Sequence, residues 1–587
     1  MIYKTHITDI SKLIFDLYPD ESINLNDIQV QETRKEFNGD FTVIIFPLLK
    51  YSKKNIDLTA KELGDFLVKH INYVNSYNIV KGFLNLEFKD FFWLDVLSFS
   101  FSENFEINKE KNNHIVLEFS SPNTNKPLHL GHLRNILLGH AISNILKADG
   151  NKVTRVQIIN DRGIHICKSM VAWNRYGNGA TPLSLNIKGD SFVGNYYVLF
   201  EKKYREEVET MISQGMSQDE AHSKSTILNE AKEMLVQWEN DEPKIIKLWK
   251  QMNSWVYSGF DNTYKKIGVE FDKNYYESKT YLIGKQNVLK GLENSVFIKN
   301  KDQSIWVDLD SHNIDKKLLL RSDGTAVYIT QDIGTAILRY EDFKFNEMIY
   351  VVGNEQNHHF NVLFKILGKM GFKWSKNLNH LSYGMVTLPD GKMKSREGKV
   401  VDIDDLLNEM YENSKKMIIQ SKKSELSSIN NLSKIIGNAA LKYFILKIDA
   451  KKDMLFNPKE SIDFHGHTGP FIQYTYARIN SILNKVNDFK IIHDINRKLL
   501  DEEISLIKNI LNYPFTIQQS AKSLNPSILA NYLYNLAKEY NHFYQKIPIL
   551  NVENQKDINF RVTLSLKVSQ LIKKGMGILG IDVPLKM

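Results

Sequence analysis

An apolar run from His114 to Phe119, a break at Pro122, apolar residues at helical spacing from Leu133 to Ile145, a stop at Gly150 and a second apolar run from Val153 to Ile159 follow one another directly. Strand, helix and strand in that order predict a βαβ unit, because parallel neighbours need a crossover and the crossover is right-handed. Such a unit holds its ligands at the carboxyl ends of its strands. The turn at that edge reads Glu118-Phe119-Ser120-Ser121-Pro122-Asn123-Thr124-Asn125-Lys126-Pro127-Leu128-His129-Leu130-Gly131-His132. It carries a carboxylate, hydroxyls, amides, an ammonium and two imidazoles. The helix is expected to begin near Gly131, with its unpaired N–H groups and dipole facing any phosphate bound there, and Gly131 leaves room for a flat base. Two isolated histidines would read first as a helix cap. The flanking Ser-Ser-Pro-Asn and Lys-Pro-Leu turn the reading toward a ligand site.

The chain has 587 residues, 42% of them hydrophobic, which at roughly 100 to 200 residues per domain gives three or four domains. Lys plus Arg outnumber Asp plus Glu by 76 to 68, a net charge of +8, which permits an RNA partner without requiring one. Cys167 is the single cysteine, so an internal disulfide framework and a cysteine-based zinc cluster are excluded. Apolar runs such as Phe91–Leu97 are short and carry charge; no membrane span is expected, and the chain reads as soluble and cytoplasmic.

Residues 1–108 combine a helical opening with β-like runs at Phe41–Leu48 and Gly82–Phe88 and predict a small α+β domain. Residues 109–421 carry the α/β nucleotide-binding core of Rossmann type, interrupted by a charged helical insertion at about 174–290, clearest from Tyr196 to Lys266. Lys422–Ser433, rich in Ser, Lys and Asn, reads as a linker. Within residues 434–587, helical periodicity recurs at Ile435–Ala450, Gly469–Val486, Pro526–Phe543 and Asn559–Leu579 and predicts an all-α bundle.

Three further clusters carry chemistry. In Leu319–Asp332, a helix after the Asp323-Gly324 turn would place Tyr328 and Asp332 at i, i+4 on one face. A carboxylate beside a phenol can receive a planar guanidinium in two directions, although alone the pair reads as an exposed acid beside a core ring. The Gly-flanked Asp390-Gly391-Lys392-Met393-Lys394-Ser395-Arg396-Glu397-Gly398 loop suits a polyphosphate; as a bare charge run it is ordinary surface. Phe471, Tyr474 and Arg478 offer rings and a cation for stacking on RNA bases, or a core face at helical spacing.

The block Ser120–Asn135 and the lysine loop resemble the two signatures of class I aminoacyl-tRNA synthetases, and among these the arginyl-tRNA synthetases. The likeness runs from near residue 39 to Met587 and is weakest between Tyr204 and Gly268. It implies an arginine–tRNA ligase that forms arginyl-adenylate from L-arginine and ATP and passes the arginyl group to tRNA(Arg), with adenylate formation needing bound tRNA. It implies Mg2+ entering with ATP, no zinc, no other metal site, and a monomer. The resemblance assigns ATP contacts to Pro122, His129, Gly131, His132, Lys392, Met393, Lys394 and Ser395. Ser395 stands where the family's second lysine usually does, and Lys126 occupies the place of its substitute, so neutralisation of developing charge falls to Lys126 and Lys394 beside the catalytic His129 and His132. Arginine contacts are implied for Glu118, Ser121, Asn123, Glu277, Tyr328, Asp332 and Gln356. Contacts with tRNA are implied for Phe83 in the first domain and for Phe471, Tyr474, Arg478, Tyr544 and Met587 in the bundle. Two rivals stay open on the residues alone: a class I synthetase for another amino acid, which would not need Asp332, and an RNA-binding paralogue without ligase activity.

Overall fold

The computed structural model describes residues 2–18, 28–34, 36–105, 110–387, 401–421, 426–486, 489–492, 495 and 497–587. The two apolar runs that flank the histidine turn are the strands His114–Glu118 and Lys152–Ile159, paired in parallel from His114 with Lys152 to Glu118 with Val156. Between them runs the helix Leu130–Ala148, buried on nearly all sides, which is why its apolar residues spread beyond one stripe. The complete sheet is parallel, in the order Leu378–Tyr383, Glu347–Gly353, His114–Glu118, Lys152–Ile159, Lys273–Tyr276. The chain adds strands first to one side of His114–Glu118 and then to the other. The topological switch point therefore lies between His114–Glu118 and Glu347–Gly353, and the Rossmann-type expectation holds.

Lys273–Tyr276 corrects one expectation: it falls inside the range expected for the insertion, yet it is the fifth strand of the sheet. Four residues reading Lys-Asn-Tyr-Tyr show neither alternation nor an apolar run, so nothing local marks them as sheet. The insertion's helices, including Gly189–Ser213 and Pro243–Ile267, end before it. A three-stranded antiparallel sheet, Ile298–Lys299, Ile305–Leu309 and Ile314–Leu320, then leads into the helix Tyr328–Phe343.

The amino-terminal domain has four antiparallel strands in the order Val30–Glu32, Phe41–Ile44, Phe83–Phe88, Val74–Val80. It is tied to the carboxyl-terminal helices by Lys508 Nζ on Asp40 at 2.6 Å and by Asn512 Nδ2 donating to Glu32 at 2.6 Å. Within the stretch read as a linker, residues 426–433 already belong to the helix Leu426–Leu446. The helices Gly469–Leu483, Pro526–Lys546 and Gln555–Ile578 pack on one another as the expected bundle. Among the described residues no helix is long and apolar enough to cross a membrane.

Candidate active site

The histidine turn is built by its own side chains. His129 is the N-cap of its helix, its Nδ1 accepting from Gly131 N at 3.2 Å, and His132 Nδ1 accepts from His129 N at 3.1 Å. The rings lie 3.8 Å apart between centroids. Burial pushes the His129 imidazole down to about 3, with Lys126 adding, and holds His132 well below its usual range, with His129 and Lys126 adding. Both rings are therefore neutral at pH 7. With both Nδ1 atoms accepting, each proton sits on Nε2. The capping reading and the ligand reading are thus compatible, because capping fixes the tautomer that leaves two N–H donors to face a phosphate. A Cβ at Gly131 would meet only the His129 ring, at 3.1 Å, so the backbone is open to a flat ligand.

Two residues of the same helix hold the turn in place. Asn135 Oδ1 accepts from Ser120 N at 2.5 Å, fixing Ser120 in its left-handed conformation at φ 61°, while Asn135 Nδ2 donates to Val351 O at 2.6 Å. The buried Arg134 donates to the carbonyls of Gly384 at 2.6 Å and Lys452 at 2.6 Å. The loop-borne candidates Lys392, Met393, Lys394 and Ser395 lie outside the described residues. Both flanks of that segment are placed: Val386–Thr387 pairs with Met454–Leu455, and Asp402 is bridged to His129.

Across the switch point the carboxylates gather. Glu118 ends its strand, buried, with Ser121 Oγ donating to it at 3.4 Å. Glu277 opens the helix Glu277–Glu293, also buried, with Gln331 bonded to its carboxylate. Asp332 lies one turn beyond Tyr328 on Tyr328–Phe343, and Tyr328 is 73% exposed rather than the core ring of the alternative reading. The two helices cross at glycines: a Cβ at Gly284 would stand 1.9 Å from Thr330 O, and one at Gly334 2.4 Å from Gly284 N. That close approach brings Glu277 and Asp332 within electrostatic reach of each other. Burial pushes the Glu277 carboxyl up to about 7; Arg162 opposes the rise and Asp332 and Asp161 add to it. Burial also raises Glu118, with Arg339 opposing and Asp332 adding. Carboxylates that repel one another in this way are stabilised by a cation placed among them. Asn123 is backbone-bridged to Asn160, and Gln356 is exposed at the end of the short helical turn Asn354–Gln356.

Two family descriptions match the chain: tRNA synthetases class I (R), catalytic domain, over residues 97–457, and DALR anticodon binding domain, over residues 472–587. The arginine–tRNA ligase of Bacteroides thetaiotaomicron is 51% identical over 570 residues, covering 95% of this chain and 96% of its own length. That of Flavobacterium psychrophilum is 50% identical over 584 residues, covering 96% and 97%. The chain belongs to the arginyl-tRNA synthetase family. It is therefore an aminoacyl-tRNA synthetase, a ligase of an ATP-using class, as the sequence led one to expect. The Thermus thermophilus arginyl-tRNA synthetase has the same fold, with a TM-score of 0.78 at 22% identity over 100% of both chains. So has the Plasmodium falciparum arginyl-tRNA synthetase, at 0.76 and 23% identity over 100% of this chain and 99% of that one.

For an arginyl-tRNA synthetase the outer residues are as telling as the pocket. A cavity of about 430 Å³ is lined by Phe471, Tyr474 and Arg478 from the helix Gly469–Leu483 and by Met587 from the carboxyl end of the chain. Arg478 stacks over Tyr474 at 4.8 Å and over Tyr544 at 5.0 Å. Phe83 lies apart in the amino-terminal domain, with Arg34 over its ring at 5.7 Å. A larger cavity of about 1200 Å³ opens at the amino ends of the strands, lined by Asn113, Glu347 and Asn379, and holds none of the expected site residues.

Sequence reasoning missed three residues at the pocket. Arg339, 1% exposed, is paired with Glu118 and stacked over Tyr275 at 5.0 Å. His359 Nε2 contacts Asp332 Oδ2 at 2.6 Å. Arg162 stacks over Tyr281 of the helix Glu277–Glu293 at 3.9 Å and donates to Glu239 of the insertion at 2.7 Å, so its guanidinium joins the insertion to that helix. Asp161 turns the same way, accepting from Ser278 Oγ at 2.8 Å and Tyr257 OH at 2.9 Å. Arg162 and His359 both stand in stretches that the sequence marks, Ile158–His165 and the residues after Gln356, although nothing local separates His359 from His358; Arg339 stands in neither.

Proposed function

We propose that this chain activates L-arginine with MgATP and transfers the arginyl group to tRNA(Arg), acting as a monomer in the cytoplasm. The observation that carries the reading is an acidic pocket, Glu118, Glu277 and Asp332, set at the switch point next to two neutral Nε2–H donors. The guanidinium lies between Asp332 and Glu277, with Tyr328 and Gln356 at the mouth. Glu118, Ser121 and Asn123 receive the α-ammonium and leave the carboxylate free. A carboxylate oxygen attacks the α-phosphorus, the bond to the bridging oxygen breaks, and pyrophosphate leaves with its magnesium. His129 Nε2–H, His132 Nε2–H, Gly131 N–H and Lys126 face the charge that builds there, and the loop residues Lys392, Met393, Lys394 and Ser395 are assigned to the leaving pyrophosphate, with Pro122 bordering the nucleotide. The terminal ribose hydroxyl of tRNA then attacks the arginyl carbonyl and AMP departs. Phe83 and the Phe471, Tyr474, Arg478, Tyr544 and Met587 group hold the tRNA at two distant points. No side chain serves as covalent nucleophile; positioning and charge carry the rate. Charging total tRNA with each labelled amino acid in turn tests this: arginine alone is expected to be attached, and attachment of another amino acid at a comparable rate would refute it.

The pocket also sets a pH dependence. Glu277, pushed up to about 7 by burial, takes a proton as pH falls through that value and loses the charge that a guanidinium needs. His359 acts in the same direction: burial lowers its pKa, but Asp332 outweighs burial and the net shift is upward, so on acidification a charged imidazole competes for Asp332. The Michaelis constant for arginine should rise about tenfold between about pH 8 and pH 6, the loss of ionised carboxylate expected of a group at 7. Glu277→Gln is expected to flatten most of this slope, and a parallel profile in that variant would exclude Glu277 as its source.

A further inference from the structure

The helical insertion takes no part in either step, yet it lies against the histidine turn. Its helix Gly189–Ser213 comes so close at Gly194 that a Cβ there would stand 2.8 Å from Pro127 Cδ and 3.5 Å from Lys126 Cα. One turn earlier, Ser191 Oγ donates to Asp402 Oδ2 at 3.3 Å. At the N-cap, Lys188 Nζ donates to Asp190 at 3.0 Å and to Asp404 Oδ2. From the second insertion helix, Pro243–Ile267, Lys266 Nζ donates to Asp404 Oδ1 at 2.6 Å and Thr263 Oγ1 to Asp404 Oδ2 at 2.8 Å. Residues 401–404 are in turn laced to the histidine turn: Asp402 is bridged to His129, Leu130 N donates to Val401 O at 3.2 Å, and Ile403 N to Leu128 O at 3.0 Å.

The two insertion helices are locked to each other. A Cβ at Gly189 would meet Trp255 O at 2.0 Å, and one at Gly259 would meet Asp190 Oδ1 at 2.4 Å. Lys188 therefore has a fixed seat. Two ammonium groups, Lys188 and Lys266, face three carboxylates, Asp190, Asp402 and Asp404, in a largely buried cluster. Such a cluster is weak as a source of stability, since apolar packing of the same volume holds a fold as well. What it supplies is direction: Asp404 Oδ2 is held by both insertion helices, through Lys188 and Thr263, and Oδ1 by Lys266, which fixes the 401–404 backbone and with it the position of His129.

We propose that Lys188 is a positioning residue for adenylate formation, holding the His129 backbone through Asp404 and Asp402 while Gly194 seats the Lys126–Pro127 segment beside it. This rests on the reading of the histidine turn as the ATP site. The test is arginine-dependent pyrophosphate exchange with tRNA bound, measured with thermal melting for Lys188→Met, Lys188→Arg, Gly194→Ala and His132→Ala. Lys188→Met removes the cation, and Gly194→Ala displaces the same helix without changing charge. Each is expected to lower kcat about ten- to a hundredfold and to raise the KM for ATP, a displacement effect, with the KM for arginine unchanged and Lys188→Arg recovering most of the loss. Wild-type kcat in folded Lys188→Met and Gly194→Ala, while His132→Ala loses activity, would overturn the proposal and spare the ATP site. So would a KM for arginine that rises as much as that for ATP. Full activity in His132→Ala would instead remove the ATP-site reading and the proposal with it.

Discussion

Asp332→Asn is expected to lower kcat/KM for arginine by about two to three orders of magnitude, while the KM for ATP stays near its wild-type value. The substitution keeps the shape of the side chain and removes its charge. Asp332 is the pocket carboxylate most open to a ligand, its side chain 37% exposed, where Glu118 and Glu277 are buried. His359 engages Oδ2 at 2.6 Å, and among the described residues no donor reaches Oδ1. A guanidinium arriving there forms a charge-assisted pair, and truncating one side of such a pair costs about 2–5 kcal/mol, at about 1.4 kcal/mol per factor of ten. Because the residue is accessible, the folded state should hardly notice the change. Aminoacylation kinetics with varied arginine decide the matter: a variant within a few-fold of wild type would show that the guanidinium is bound elsewhere.

Arg339→Met should have the second largest effect, on stability. Arg339 and Glu118 are both buried and face each other under the pocket. Burial opposes the charge on Arg339, but Glu118 beside it outweighs burial and holds its pKa above the usual value. Removing the guanidinium leaves Glu118 with no counter-charge and with Asp332 nearby, a loss of about 3–5 kcal/mol for a broken buried pair. The double variant Arg339→Met with Glu118→Gln removes both charges and should recover much of that loss. Urea unfolding of the three proteins tests this, and a double variant as unstable as the single one would show that packing, not charge, dominates at Arg339.

The parts of the fold that the sequence revealed are those whose signal is local. The histidine turn announced itself because strand, cap and helix are adjacent in the chain, and Tyr328 with Asp332 because helical spacing alone puts them on one face. Lys273–Tyr276 was hidden because its sheet partner lies across the whole insertion, and Val74–Val80 because its burial is only partial along its length. Arg339 reads as a surface cation in an amphipathic helix, since the carboxylate that takes it inside stands at the end of a strand far upstream. The same holds for Lys188 and Asp404, whose partnership exists only once the insertion folds back on residues 401–404. Charge pairs between distant segments leave no periodicity, and none of these could be read from spacing.

Selection of a forked, charged side chain by the pocket is the step on which arginine recognition depends. It is tested most directly by comparing arginine with citrulline, which keeps the planar end and the length but not the charge, in adenylate formation by the wild-type protein with tRNA bound. The expected ratio of kcat/KM is about 10⁴ or more in favour of arginine, the discrimination of a site whose polar groups are left unpaired by the wrong ligand. A ratio within tenfold of unity would contradict it.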